Sequence, residues 1–304
     1  MKKQLLIAAV AASMTSVAMA DISMTGKAMV KYTNTDFGDS TADTNVLANE
    51  FDLDVNGKSG DTTVNVHFDN DDGTLTSSTK MTTSIAGVSV TAGSYAGSKS
   101  ILSAKSSKAT KAVLGYDAGV AKITFENNSA GTGSKTTISG DIAGVAASWM
   151  TKSAQDELKL SGSVSGVSIA YHNIDSNTAN SDATAVTVSG EVSGVTLTYV
   201  DAKADSAAEI NGDAFFGNTA SISGAGDDFS GFSAATTVAG NTVTVKHFEQ
   251  DSATATRDAK SNQINVSRAL ASGATLNAKY TSLDVNNGAT GDKDSLEVKL
   301  SVAF

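Results

Sequence analysis

The sequence predicts an all-β fold, a transmembrane antiparallel β-barrel of sixteen strands, with eighteen also accommodated by its length. Three observations carry this. Apolar and polar residues alternate in short segments from Asp21 to Phe304, and an extended strand sends successive side chains to opposite faces. Glycine-containing corners recur between those segments, where a chain that folds back on itself needs turn residues. Nothing after residue 20 approaches the roughly 18 consecutive apolar residues of a spanning helix. A sheet that crosses lipid must then pair all its backbone groups by closing on itself.

The elements follow in chain order. Residues 1–20 begin with Lys2 and Lys3, continue through the apolar run Leu5 to Val10 and end in Ala18-Met19-Ala20, the three-part pattern of a cleaved secretory signal. The single barrel domain is then 21–304, with no second domain and no linker. In its first strand Ile22, Met24, Gly26, Ala28, Val30 and Tyr32 share one face, and Ser23, Thr25, Lys27, Met29 and Lys31 occupy the other, which is mostly polar. Phe51, Leu53 and Val55 alternate with Glu50, Asp52 and Asp54, and Val64, Val66 and Phe68 with Asn65, His67 and Asp69. The same two-faced pattern returns at Val243 and Val245, at Ile264 and Val266, and at Leu276, Ala278 and Tyr280.

A weak repeat joins the middle strands. Ile138-Ser-Gly-Asp-Ile-Ala-Gly-Val145, Leu160-Ser-Gly-Ser-Val-Ser-Gly-Val167 and Val188-Ser-Gly-Glu-Val-Ser-Gly-Val195 are three copies of one hairpin corner, followed by Trp149, Tyr171 and Tyr199. Related corners stand at Ile85–Val88, Asp117–Val120, Val238–Asn241 and Arg268–Gly273. Between corners lie nine polar connections, near 34–45, 70–74, 96–110, 128–132, 152–156, 175–182, 204–228, 251–259 and 285–292. Nine loops imply eighteen strands. A transmembrane strand needs about 9–11 residues, however, and the segments near 128–156 are short, so sixteen is the preferred count.

Composition narrows the function. The chain has no Cys, which excludes disulfides and a lipid anchor that would need a Cys directly after the cleavage site. It has no Pro, in keeping with a chain that is nearly all ladder. Without Lys2 and Lys3 it carries 20 basic and 32 acidic residues, a net charge of −12. That argues against nucleic acid, which calls for a basic patch.

The last segment is the sharpest signal. Leu296, Val298, Leu300, Val302 and Phe304 alternate with Glu297, Lys299, Ser301 and Ala303, and the chain stops on the aromatic. With the export signal, the alternation and the corners, the whole chain after residue 20 resembles the Gram-negative general porins, trimeric sixteen-stranded diffusion channels. The resemblance implies an outer-membrane location and a lipid surround. It also implies a homotrimer, passage of ions and small hydrophilic solutes, no cofactor, and an assembly signal at Phe304, Val302 and Leu300 read by the barrel-insertion machinery. In that family the third outer loop folds inward and narrows the pore. Here the third loop is 96–110, and from Ala96 to Tyr116 it has Lys99, Lys105, Lys108 and Lys111 but no acid. Family members often have an acidic inner loop facing basic wall residues, so this chain departs from the pattern. Folded inward, these lysines would face wall carboxylates such as Glu50, Asp52 and Asp54 as the constriction; on a solvated outer loop they would have no such role.

No catalytic set stands out. His67, His172 and His247 lie in strand-like stretches, none within a motif such as His-Glu-x-x-His, and are expected to face the lumen or an interfacial girdle. The thiol nucleophile and zinc-thiolate classes are excluded with Cys, and no Gly-x-Ser-x-Gly elbow is present. Asp69-Asn-Asp-Asp-Gly73 has the alternating oxygens of a calcium loop without its closing Glu, so it reads as a solvated turn and no metal site is expected. The chain is therefore not expected to be an enzyme. The alternative class is a secreted or surface-exposed β-rich adhesin, which has no need of a terminal Phe304.

Overall fold

In the computed structural model, residues 21–38, 42–96, 102, 108–128, 133–177, 181–205, 227–252, 258–285 and 292–304 are described. The expected export signal at 1–20 lies outside them. The chain forms β1 (Asp21–Phe37), β2 (Thr44–Ser59), β3 (Thr62–Asp71), β4 (Thr74–Ile85), β5 (Val88–Tyr95), β6 (Ala109–Asp117), β7 (Lys122–Asn128), β8 (Lys135–Ile142) and β9 (Val145–Lys152). The second half adds β10 (Gln155–Val164), β11 (Val167–Ser176), β12 (Ala183–Val192), β13 (Val195–Ala204), β14 (Asp227–Val238), β15 (Asn241–Ser252), β16 (Ala259–Ala269), β17 (Ala274–Val285) and β18 (Lys293–Ala303).

Each strand pairs antiparallel with its sequence neighbours, and β1 also pairs with β18, from Lys27 opposite Ala303 to Phe37 opposite Lys293. The sheet is closed, with eighteen strands rather than the preferred sixteen. The doubted hairpin near 128–156 is present: β8 and β9 have only 8 residues each, and the preceding β7 only 7, but all three pair on both sides. Two flanking ladders satisfy a strand's backbone groups whatever its length.

The corners explain themselves by backbone geometry. Ala86-Gly87, Ala143-Gly144, Ser165-Gly166, Ser193-Gly194 and Ala239-Gly240 all have positive φ at both positions. That is the requirement of the two-residue turn whose twist matches a hairpin, and the second place goes to Gly because it is unstrained there. These turns gather at one end of the barrel with Asp21 and Ala303, while all nine of the longer or polar connections expected from the sequence join strands at the other end.

The two faces can be assigned from burial. Nothing packs on the outside of a lone barrel, so the large side chains that are nearly inaccessible in mid-strand point inward. Val200, Phe229, Phe248, Ser261, Gln263 and Thr281 are nearly inaccessible and occupy one set of registered positions. Following that register round the ladder puts Lys293, Ser295, Glu297, Lys299 and Ser301 inside, all half-buried, and Leu296, Val298, Leu300 and Val302 outside and exposed. Leu53 and Val64 likewise face outward, and Asp54 and Asn65 inward.

Candidate functional site: the barrel interior

The interior has two unlike walls. On the loop-side half of β11–β17, Ile174, Ala183, Ala185, Val200, Ala202, Phe229, Phe248, Ala259 and Leu283 form an apolar cluster, with the Phe229 and Phe248 rings stacked at 5.5 Å. One member comes from elsewhere in the chain. Leu102, from the connection between β5 and β6, is 5 % exposed within it. A residue tethered to β5–β6 thus reaches the inner surface of the far strands and covers apolar area that would otherwise face water.

The rest of the interior is charged. Glu50, Asp52 and Asp54 on β2 and His67, Asp69 and Asp71 on β3 all point inward, with Glu50 registered against Asp71, Asp52 against Asp69 and Asp54 against His67. The next strands are basic. Lys80 on β4 and Lys111 on β6 place their amines 5.7 and 5.3 Å from the centre of the Tyr95 ring on β5, a cation–π arrangement. The registered partner of Lys111 on β5 is Gly93, where a Cβ would collide with the backbone of Thr79 and Lys80 on β4. Lys108 donates to the backbone carbonyl of Ser77 on β4. Lys111 therefore lies on the inner wall of β6, while Lys108 is exposed just before that strand; Lys99 and Lys105 lie outside the described residues.

Further round, Lys135 pairs with Glu126 at 3.2 Å, His172 with Glu157 at 2.7 Å, and Lys159 also contacts Glu157. Near the turn end, an open cavity of ≈ 640 Å³ is lined by Asp117, Lys122, Ser139, Asp141, Lys159 and Ser161 among others. Lys279 and Glu297 pair at 3.4 Å between β17 and β18. Of the three histidines, His67 and His172 are inward; His247 points outward, with its Nδ1 2.9 Å from Asn262 Oδ1. At the loop-side rim, beyond β18, the neighbouring Asp284 carboxylate holds the Asp292 carboxyl above its ordinary range.

The terminal residues form the closing seam. Phe304 donates its backbone N–H to the Gly26 carbonyl at 3.0 Å and accepts from the Gly26 N–H at 2.8 Å. Its ring stacks on Phe51 at 6.0 Å and covers Gly26 so closely that a Cβ there would stand 2.4 Å from the ring. Val302 sits between Ala28 and Ala274, and Leu300 between Val30 and Leu276, on the same outward face.

No protein-family model matches the sequence, and no curated protein matches it. Solved structures do resemble it in fold. OccK10 (OpdN) of Pseudomonas aeruginosa is 13% identical with a TM-score of 0.71, covering 93% of this chain and 99% of that one. OccK2 (OpdF) of the same organism is 11% identical with a TM-score of 0.72, covering 93% and 98%. OccK5 (OpdH) is 9% identical with a TM-score of 0.69, again covering 93% and 98%. At such identities the likeness establishes the barrel architecture over nearly the whole length of both chains.

Proposed function

We propose that this chain is an outer-membrane porin, a water-filled channel for passive diffusion of ions and small hydrophilic solutes, delivered by the export signal at 1–20. The observation that carries the reading is the contrast between faces: apolar and exposed outside, polar and charged inside, in a closed sheet with no free edge. Lipid suits the first surface and water the second. An adhesin would have no use for an inward-facing charged surface. The reading assigns the chain no reaction. The test is a planar-bilayer recording of the purified full chain. Stepwise, ohmic conductance is expected, and an inert bilayer at any protein load would refute the channel.

Two consequences are measurable. Leu300→Lys should destabilise the barrel by about 2–4 kcal/mol if Leu300 lies near the bilayer midplane, whereas Lys299→Leu, facing water, should not. Denaturant titration in lipid vesicles compares the two. Ion preference is assigned to Lys99, Lys105, Lys108 and Lys111 acting against Glu50, Asp52 and Asp54, because charges at a constriction set selectivity and salt screens those farther than about 8 Å. Replacing the four lysines with Gln should shift the reversal potential under a salt gradient towards cations; an unchanged value would remove these lysines from the constriction. The homotrimer rests on the likeness to sixteen-stranded porins, from which eighteen strands separate this chain. Native mass spectrometry in detergent counts the copies.

A further inference from the structure

Two rows of carboxylates oppose each other on the inward side of the β2–β3 ladder. Glu50 is registered against Asp71, and Asp52 against Asp69; like charges directly opposite destabilise a sheet. The adjoining strands do little to offset this. On β1, Thr25, Lys27 and Met29 stand opposite Asp54, Asp52 and Glu50, and on β4, Thr74, Thr76 and Ser78 stand opposite Asp71, Asp69 and His67. Among these only Lys27 is charged.

One side chain in this patch has a different chemistry. A ring nitrogen of His67 and carboxylate oxygens of Asp52 and Asp69 lie within 4.8 Å of one another, and all three residues are half-buried. The Nδ1 of His67 is 3.2 Å from Asp54 Oδ1. A carboxylate that accepts the Nδ1 proton fixes the tautomer and leaves Nε2 with its lone pair for a metal, the usual outer support of a ligating histidine. An imidazole with two carboxylates suits zinc and its neighbours, whereas all-oxygen sets suit magnesium and calcium. Three protein ligands would leave a zinc ion its fourth position for water.

The geometry points to a divalent transition-metal site on the barrel's inner wall, ligated by Asp52, His67 and Asp69, with Asp54 as the positioning residue for His67. A bound dication would neutralise the opposed carboxylates at the place where two acidic strands meet. The site stands apart from the channel reading, because binding is measurable whether or not the barrel conducts.

Equilibrium dialysis of zinc chloride against the folded full chain in detergent, with excess magnesium to occupy non-specific carboxylates, tests it. The wild type should retain one zinc per chain. His67→Ala and the bulkier His67→Gln should both lose it, and Asp52→Asn and Asp69→Asn should weaken it. Asp54→Asn, which removes no ligand, should weaken binding roughly 10–100-fold. Asp71→Asn, in the acidic row but outside the ligand set, should keep the zinc. Unheated electrophoretic mobility identifies which variants are folded, and the two His67 variants provide independent chances of a folded one. Wild type without zinc, or a folded His67 variant that binds as wild type does, overturns the site.

Discussion

Deleting Phe304 is expected to abolish accumulation of the folded barrel, with the protein left degraded or aggregated before membrane insertion. The residue makes both backbone hydrogen bonds to Gly26 at the end of the β1–β18 seam, and its ring fills the space above Gly26 against Phe51. Each lost hydrogen bond removes about 0.5–1.5 kcal/mol, and the aromatic contact contributes about 0.5–1.5 kcal/mol beyond its burial. The larger effect is on closure. Among the described residues the β1–β18 seam is the only ladder between strands remote in sequence, and while it is open the barrel has two unpaired edges, which invite aggregation. Gly26→Val attacks the same contact from the other side, since its Cβ would stand 2.4 Å from the ring. It leaves Phe304 itself in place but should lower thermal stability. Membrane fractionation with heated and unheated electrophoresis reads both variants; normal amounts of folded protein without Phe304 would show that the terminus is dispensable.

Leu102→Asp should have the largest effect on the channel itself. Leu102 is 5 % exposed among Phe229, Phe248, Leu283 and the small residues of β11–β13, and an ionised carboxylate there would lack a partner, at a cost that expels it rather than being borne. Even Leu102→Ala should weaken this anchorage by about 2–5 kcal/mol. Neither change touches a ladder, so the melting of the barrel should be nearly unaltered. Single-channel conductance should rise in both, more in the Asp variant, as the segment releases from the far wall. Equal conductance in wild type and both variants would show that Leu102 does not narrow the passage.

Strand faces and turn positions were legible because each depends on neighbours within a few residues. Alternation at Leu296–Val302 gave the outward and inward faces of β18, and the Ala-Gly and Ser-Gly corners gave turns whose backbone requires positive φ. The nine connections gave the number of loops, yet a length rule for isolated strands weighed against the short hairpin β8–β9 and favoured sixteen. In the sheet, pairing on both sides compensates for their shortness.

The interior was less legible. Lys111 lies in a run of loop lysines by sequence but on the β6 wall in space, held over Tyr95 from β5 beside Lys80 from β4. The Asp52, His67 and Asp69 convergence has no signature along the chain, since its ligands come from two strands and meet only through the β2–β3 register. Leu102 looks like one more apolar residue in a polar loop. By itself, then, the sequence determined a two-faced, all-β chain with its turns, its loops and the alternation of its last strand, because the period of a strand and the geometry of a turn are local. Only the tertiary structure decided the eighteen strands, the charged and apolar walls and the residues that meet across them, because closure and register are set by ladders between strands whose own residues do not specify their partners.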